Sequence, residues 1–245
     1  MRLLEAKGLK KLFYTYAALN GVDIHVDEGE LLGLIGPNGS GKTTFFNCVT
    51  GILDASGGEV FFKEHNITNL GPDKVYRMGI GRTFQLVQLF PEMTVLDNML
   101  LAIQESQGSM FSRLFTIRED ANRKKALELL EFLKISRLKD EYAKNLSYGQ
   151  QKLLDLAMVL MSSPKLVLLD EPLAGVNRSL AREIIERIRE LNRAGSTFII
   201  IEHDMPVIMN LCERIVVLDH GEKIAEGKPE EIKKDELVLK AYFGG

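Results

Sequence analysis

The chain has 245 residues, 45% of them hydrophobic and 27% charged, with a formal net charge of −3. That length supports a substantial core in one large or two small domains, and the mild acidity argues against a dedicated nucleic-acid binder. No apolar run approaches the roughly 20 residues that cross a bilayer, and the charged start MRLLEAKGLKK lacks a signal-peptide core. The expected location is therefore the cytoplasm, with docking on a membrane protein left open. Cys48 and Cys212 are the only cysteines and lack metal-type spacing, so both are read as reduced and buried.

The elements follow from hydrophobic period. In the first thirty residues, GVDIHVDEGE alternates at Val22, Ile24 and Val26, which predicts antiparallel β structure. ELLGLIG is apolar on both faces, as a strand covered on both sides must be. It runs into a glycine loop and then a helix, KTTFFNCVTGIL. GGEVFFKEHNI (57–67) reads as one further strand. From about 90 to 162 the texture turns helical. ANRKKALELLEFLKI places Ala126, Leu129, Leu130 and Leu133 on one face, and QQKLLDLAMVLMSS is a second helix. Residues 104–120 read as a loop or short helix.

Strand and helix signals then alternate: KLVLLDE, then REIIERIREL stopped by Gly195, then STFIIIEHD. Ile184, Ile185, Ile188 and Leu191 carry the helical face. Such alternation predicts a parallel sheet with helices on its faces. RIVVLDHGEKIAEG reads as a hairpin turning at His220-Gly221, and the tail KPEEIKKDELVLKAYFGG as helix.

GPNGSGKT fits G-x-x-x-x-G-K-[ST] at Gly36, Gly41, Lys42 and Thr43, between a strand and a helix. The glycines at 36, 39 and 41 permit positive φ and close backbone approach, so successive N–H groups face phosphate oxygens. Lys42 is expected to reach the β- and γ-phosphates, and Thr43 to ligate Mg²⁺. LVLLDE (166–171) ends a buried strand in two carboxylates. Asp170 is expected to hold Mg²⁺ directly or through water, and Glu171 to orient and deprotonate the attacking water. His203 lies just past another buried strand, where a polar side chain can sense the γ-phosphate. Taken singly, His203 and Gln85 are weak signals: most such residues are structural or solvated.

LSYGQ (146–150) raises a separate question. Ser147 can simply cap the following helix. Its hydroxyl and the free N–H groups can equally bind phosphate. One ATP does not need two cradles from one chain. Two chains facing each other resolve this, each loop closing over the ATP held by the other.

With these residues in view, the chain resembles the ATP-binding subunits of ABC transporters along its whole length. Six motifs stand in that family's order: the Walker A loop (36–43), the Q-loop Gln85, the signature loop (146–150), the Walker B strand (166–170), Glu171 and the switch His203. The resemblance implies one ABC ATPase domain over 1–245. Within it, a P-loop NTPase parallel-sheet core with an antiparallel N-terminal β subdomain covers 1–88 and 163–245, and a helical subdomain covers 89–162. It implies ATP and Mg²⁺ as cofactors. Nucleotide is held by Gly36, Pro37, Asn38, Gly39, Ser40, Gly41, Lys42, Thr43, Thr44 and Asp170, and across a head-to-tail dimer by Ser147, Gly149 and Gln150. Phe13 falls at the position that stacks on adenine, with Tyr14 and Tyr16 as neighbours. Thr43, Gln85 and Asp170 are the implied metal ligands, and Glu171, His203 and Gln85 the implied catalytic set. Implied partners are polytopic permease subunits, a second ATPase (itself or a paralogue) and, indirectly, a binding protein; no nucleic acid is implied. The place is the cytoplasmic face of the membrane.

Two positions depart from the family pattern: Tyr148 stands at a usual glycine, and Asn177 where many members have aspartate. A narrower likeness, through GIGRTFQLVQLFPEMTVLDNML, LSYGQQ, DEPLAGVN, IEHDM and KAYFGG, is to branched-chain amino acid importer ATPases. Urea importer and lipopolysaccharide exporter ATPases, and non-transport ABC ATPases, are the alternatives.

Overall fold

The computed structural model describes residues 1–103 and 112–243. Its strands are β1 (Arg2–Phe13), β2 (Tyr16–Asp27), β3 (Leu31–Ile35), β4 (Gly57–Phe62), β5 (His65–Asn66), β6 (Ile80–Arg82), β7 (Leu166–Asp170), β8 (Thr197–Ile201), β9 (Arg214–Asp219) and β10 (Glu222–Gly227). Its helices are α1 (Lys42–Val49), α2 (Pro72–Met78), α3 (Val95–Leu101), α4 (Ser112–Phe132), α5 (Tyr148–Leu160), α6 (Arg178–Arg193), α7 (Met205–Leu211), α8 (Pro229–Ile232) and α9 (Glu236–Phe243). No helix among the described residues is long and apolar enough to cross a membrane.

The chain divides into two compact units: residues 1–82, 165–172 and 189–245, and residues 83–164 and 173–188. The first holds two sheets. One is antiparallel, in the order β2-β1-β4-β5; the other runs β10-β9-β3-β8-β7-β6. In the latter, β3, β6, β7, β8 and β9 are mutually parallel, and only β10 pairs antiparallel. Every residue of β3, β7 and β8 is buried, which explains why these strands read as unbroken apolar runs. Val22, Ile24 and Val26 of β2 point into the same core as Phe45 and Phe46 of α1 and Leu168, Ile199 and Val216 of the parallel sheet. Cys48 and Cys212 are both free and buried.

The second unit is helical. The face expected on α4 is real at Ala126 and Leu130 and continues to the buried Leu133 just past the helix end, while Leu129 is half-buried. On α6, Ile184 and Ile188 are buried, with Ile185 only partly so. Thr94 caps α3 by accepting from the Asp97 N–H at 3.1 Å.

Three local expectations are corrected. The helix after the glycine loop ends at Val49, because Gly51 turns with φ 71. Residues 57–67 form a hairpin rather than one strand, since Lys63 and Glu64 take φ 47 and 66 between β4 and β5. Within 104–120, residues 112 onward belong to the long helix α4, and 104–111 lie outside the described residues. The strand β6 was not anticipated: three residues are too short to display a period of two.

Candidate functional site

The phosphate loop grows directly out of β3. Gly36 takes φ 150, and a Cβ there would stand 2.0 Å from the Leu218 carbonyl oxygen at the end of β9. Only glycine lets the loop begin this close to the neighbouring strand. The loop ends at Gly41, the N-cap of α1, which has no side chain to satisfy the first-turn N–H groups. Those donors are left for a ligand, at the positive end of the helix. Thr43 is exposed in that turn, Thr44 is half-buried, and Asn38 and Gly39 are exposed at the tip beside the half-buried Pro37.

Lys42 folds back over its own loop. Its ammonium donates to the Gly36 carbonyl at 2.8 Å, the Pro37 carbonyl at 2.9 Å and the Ser40 hydroxyl at 3.3 Å. Burial pulls its pKa below the ordinary lysine value, and the negative charges of Glu171 and Asp170 oppose that. The three contacts take the place that phosphate oxygens are expected to fill.

Asp170 ends β7, buried, and its Oδ2 accepts from Arg82 Nη2 at 3.1 Å. Glu171 follows with φ 49, a left-handed turn for a non-glycine residue. The turn redirects its side chain, and the Glu171 Oε1 lies 2.9 Å from His203 Nε2. The histidine of IIIEHD and the glutamate of LVLLDE, both separately weak or ambiguous in the sequence, are thus one hydrogen-bonded pair. Phe13 sits at the end of β1, exposed, with the Lys11 ammonium 5.2 Å from its ring centroid. Tyr14 and Tyr16 are exposed beside it.

The donor set suits Mg²⁺: a threonine hydroxyl and an aspartate carboxylate, oxygen only. Among the described residues, no group of three or more His, Cys, Asp or Glu forms a metal cage.

The remaining expected residues belong to the second unit. The signature loop is a complete capping box. Gln150 N–H donates to Ser147 Oγ at 3.4 Å, and Ser147 N–H to Gln150 Oε1 at 2.9 Å. Gly149 lies against Leu180: a Cβ there would fall 2.3 Å from Leu180 Cδ2, and that side chain would have to shift. Tyr148 lays its ring against Gly175, where a Cβ would stand 2.8 Å from Tyr148 Cε1. The departure at Tyr148 therefore closes onto the AGVN segment. Asn177 Oδ1 accepts from Leu180 N–H at 3.0 Å, capping α6 as an aspartate would. Gln85 has its backbone carbonyl held by Lys152 Nζ at 2.9 Å.

Sequence reasoning missed three residues here: Arg82, Lys152 and Asp155. Asp155 had a visible signal, a lone carboxylate inside the apolar run LLDLAMVL. Burial pushes its carboxyl up to about 7, against Lys152 and a hydrogen bond from the Phe84 backbone.

The family model described as ABC transporter matches residues 19–174. A second, described as branched-chain amino acid ATP-binding cassette transporter, matches residues 222–245. The chain is 42% identical over 247 residues to the probable branched-chain amino acid transport ATP-binding protein LivG of Archaeoglobus fulgidus, covering all of this chain and 96% of that protein. It is 38% identical to the high-affinity LivG of Escherichia coli K12, covering 99% of this chain and 98% of that one. Among solved structures, a nucleotide-free ATP-binding cassette from an ABC transporter superposes with a TM-score of 0.89 at 41% identity, each chain covered in full. An ATP-binding cassette of an ABC transporter in its ADP conformation gives 0.87 at 37% identity, again with full coverage.

Proposed function

This chain belongs to the ABC transporter family as an ATP-binding cassette, and we propose that it powers the import of branched-chain amino acids. It is an ATPase of that family. The observation that supports the cargo class is likeness along the whole chain to branched-chain amino acid transport ATP-binding proteins, carried through the terminal segment 222–245.

The chemistry follows from the residues. The N–H groups of Gly39 to Thr44 cradle the β- and γ-phosphates of ATP, while Phe13 stacks on the adenine. Lys42 exchanges its contacts with Gly36, Pro37 and Ser40 for phosphate oxygens. Thr43 and Asp170 would hold Mg²⁺, whose charge would neutralise that of the phosphates. Glu171 accepts the proton of the attacking water, and His203, hydrogen-bonded to it, holds its carboxylate on that line. Ser147, Gly149 and Gln150 serve the ATP of a facing chain, which answers why the molecule carries a second cradle without a lysine. A dimeric ABC transporter cassette is among the similar solved structures, at 29% identity and a TM-score of 0.80. Closure of such a pair on ATP, and its reopening after hydrolysis, would drive polytopic permeases from the cytoplasmic face of the membrane.

The test is a pull-down of tagged Glu171→Gln from native membranes with ATP, with the bound proteins identified by mass spectrometry. Recovery of two permeases, a second ATPase and an amino-acid-binding protein is expected. Recovery of an export permease, ribosomes or DNA-repair proteins would leave the ATPase chemistry standing and overturn the import assignment.

A further inference from the structure

Arg82 is the last residue of β6 and of the first unit's opening segment. Its guanidinium is buried, 6% exposed, and reaches two different elements. Nη2 donates to Asp170 Oδ2 on β7 at 3.1 Å. Nη1 donates to Asn47 Oδ1 of α1 at 2.6 Å and lies 3.3 Å from Oγ1 of Thr50, the residue that follows the helix. The planar group also covers the Phe46 ring, 5.4 Å from its centroid.

The placement has a simple origin. Arg82 pairs with Leu168 in the parallel register, so its side chain shares a face with Leu168 and with Asp170 two residues on. On α1, Thr43 and Asn47 fall at i and i+4, on one face of the helix, and Thr50 caps its C-terminus. Arg82 therefore grips the face of α1 that carries Thr43, one turn further along, together with the helix end at Thr50, and at the same time the carboxylate of Asp170. These two elements supply the two ligands expected for Mg²⁺ within this unit.

The geometry points to Arg82 as a positioning residue of the metal–nucleotide site: its fork ties the Thr43 helix to the Asp170 strand and sets how the two oxygens meet the ion. The inference rests on the Mg²⁺–ATP site described under the proposed function. A ligating carboxylate is usually fixed by a hydrogen bond to its other oxygen, and here Oδ2 is the oxygen so held. A lysine cannot replace the arrangement, because a point charge lacks the planar fork that spans both elements.

The experiment measures binding of a fluorescent ATP analogue to wild type, Arg82→Met, Arg82→Lys and Asn47→Ala, in EDTA and across a Mg²⁺ titration. Arg82→Met is expected to raise the Mg²⁺ concentration for half-maximal effect by about 10–100-fold. Its affinity in EDTA should stay at the wild-type value. Arg82→Lys should fall between the two. Asn47→Ala, which removes the shorter of the two contacts on the helix side and leaves those to Thr50 and Asp170, should shift the midpoint in the same direction by less. It decides the matter if Arg82→Met does not fold. Unchanged Mg²⁺ midpoints, or equal losses with and without Mg²⁺, overturn the inference. A wild type whose ATP binding ignores Mg²⁺ would instead overturn the metal site on which the inference stands.

Discussion

Replacing Gly36 by alanine tests the loop geometry most directly. Two costs add. The residue sits at φ 150, where a side chain brings strain of about 1–3 kcal/mol. The new methyl would also stand 2.0 Å from the Leu218 carbonyl oxygen, over 1 Å inside the ordinary carbon–oxygen approach of about 3.3 Å. No rotamer relieves a clash between Cβ and backbone. The end of β3 must move off β9, where Ile35 pairs with Val217. Overpacking of this kind costs about 1–3 kcal/mol and here falls at the upper end, giving about 4–6 kcal/mol in all. For a chain of this size that lowers the melting temperature by roughly 10–20 °C. Gly39→Ala is the control. It shares the positive φ, at 81, but meets nothing within 4 Å, so it should cost only about 1–2 kcal/mol. Far-UV circular dichroism is the assay, as the protein has no tryptophan. Equal melting of the two variants would refute the clash with β9 as the reason for glycine at position 36.

Three further outcomes are expected. Glu171→Gln keeps an amide oxygen that can accept from His203, so it should fold and bind ATP while turnover falls about 10²–10⁴-fold; near-wild-type phosphate release would remove Glu171 as the base. Ser147→Ala loses one arm of the capping box, about 1 kcal/mol of stability, and should impair hydrolysis while monomeric ATP binding persists; loss of monomer binding would defeat the cross-chain cradle. Asp155 makes stability depend on pH in a defined sense. Its folded carboxyl is raised from 3.8 to about 7, so the folded state holds the proton more tightly, and stability falls as pH rises across that window, by a ceiling of about 4 kcal/mol. Asp155→Asn should lack this slope; urea midpoints at pH 5 and pH 8 that track the wild type in parallel would sink the assignment.

Much of the molecule was legible from the residues because the governing interactions are local. The period of two in GVDIHV, the apolar runs of β7 and β8, and the glycine loop between β3 and α1 each express a constraint within a few neighbouring residues. The same holds for Ser147 and Gln150, whose mutual hydrogen bonds span three positions. The turn at Lys63-Glu64 escaped because neither residue is a usual turn former. The edge strand β6 escaped because its pairing with β7 depends on a partner strand far along the chain.

The sequence by itself determined the glycine loop, the acidic strand end, the capped helix after Ser147 and the parallel-sheet core, since each is written in backbone conformation and hydrophobic period. Only the tertiary structure decided which of those pieces touch. Glu171 and His203 are 32 positions apart and meet at 2.9 Å. Arg82 joins Asn47, 35 positions back, to Asp170, 88 positions ahead. No local pattern encodes such contacts; they exist because strand order in the parallel sheet brings the ends of β6, β7 and β8 side by side, and a buried charge there must find its partner.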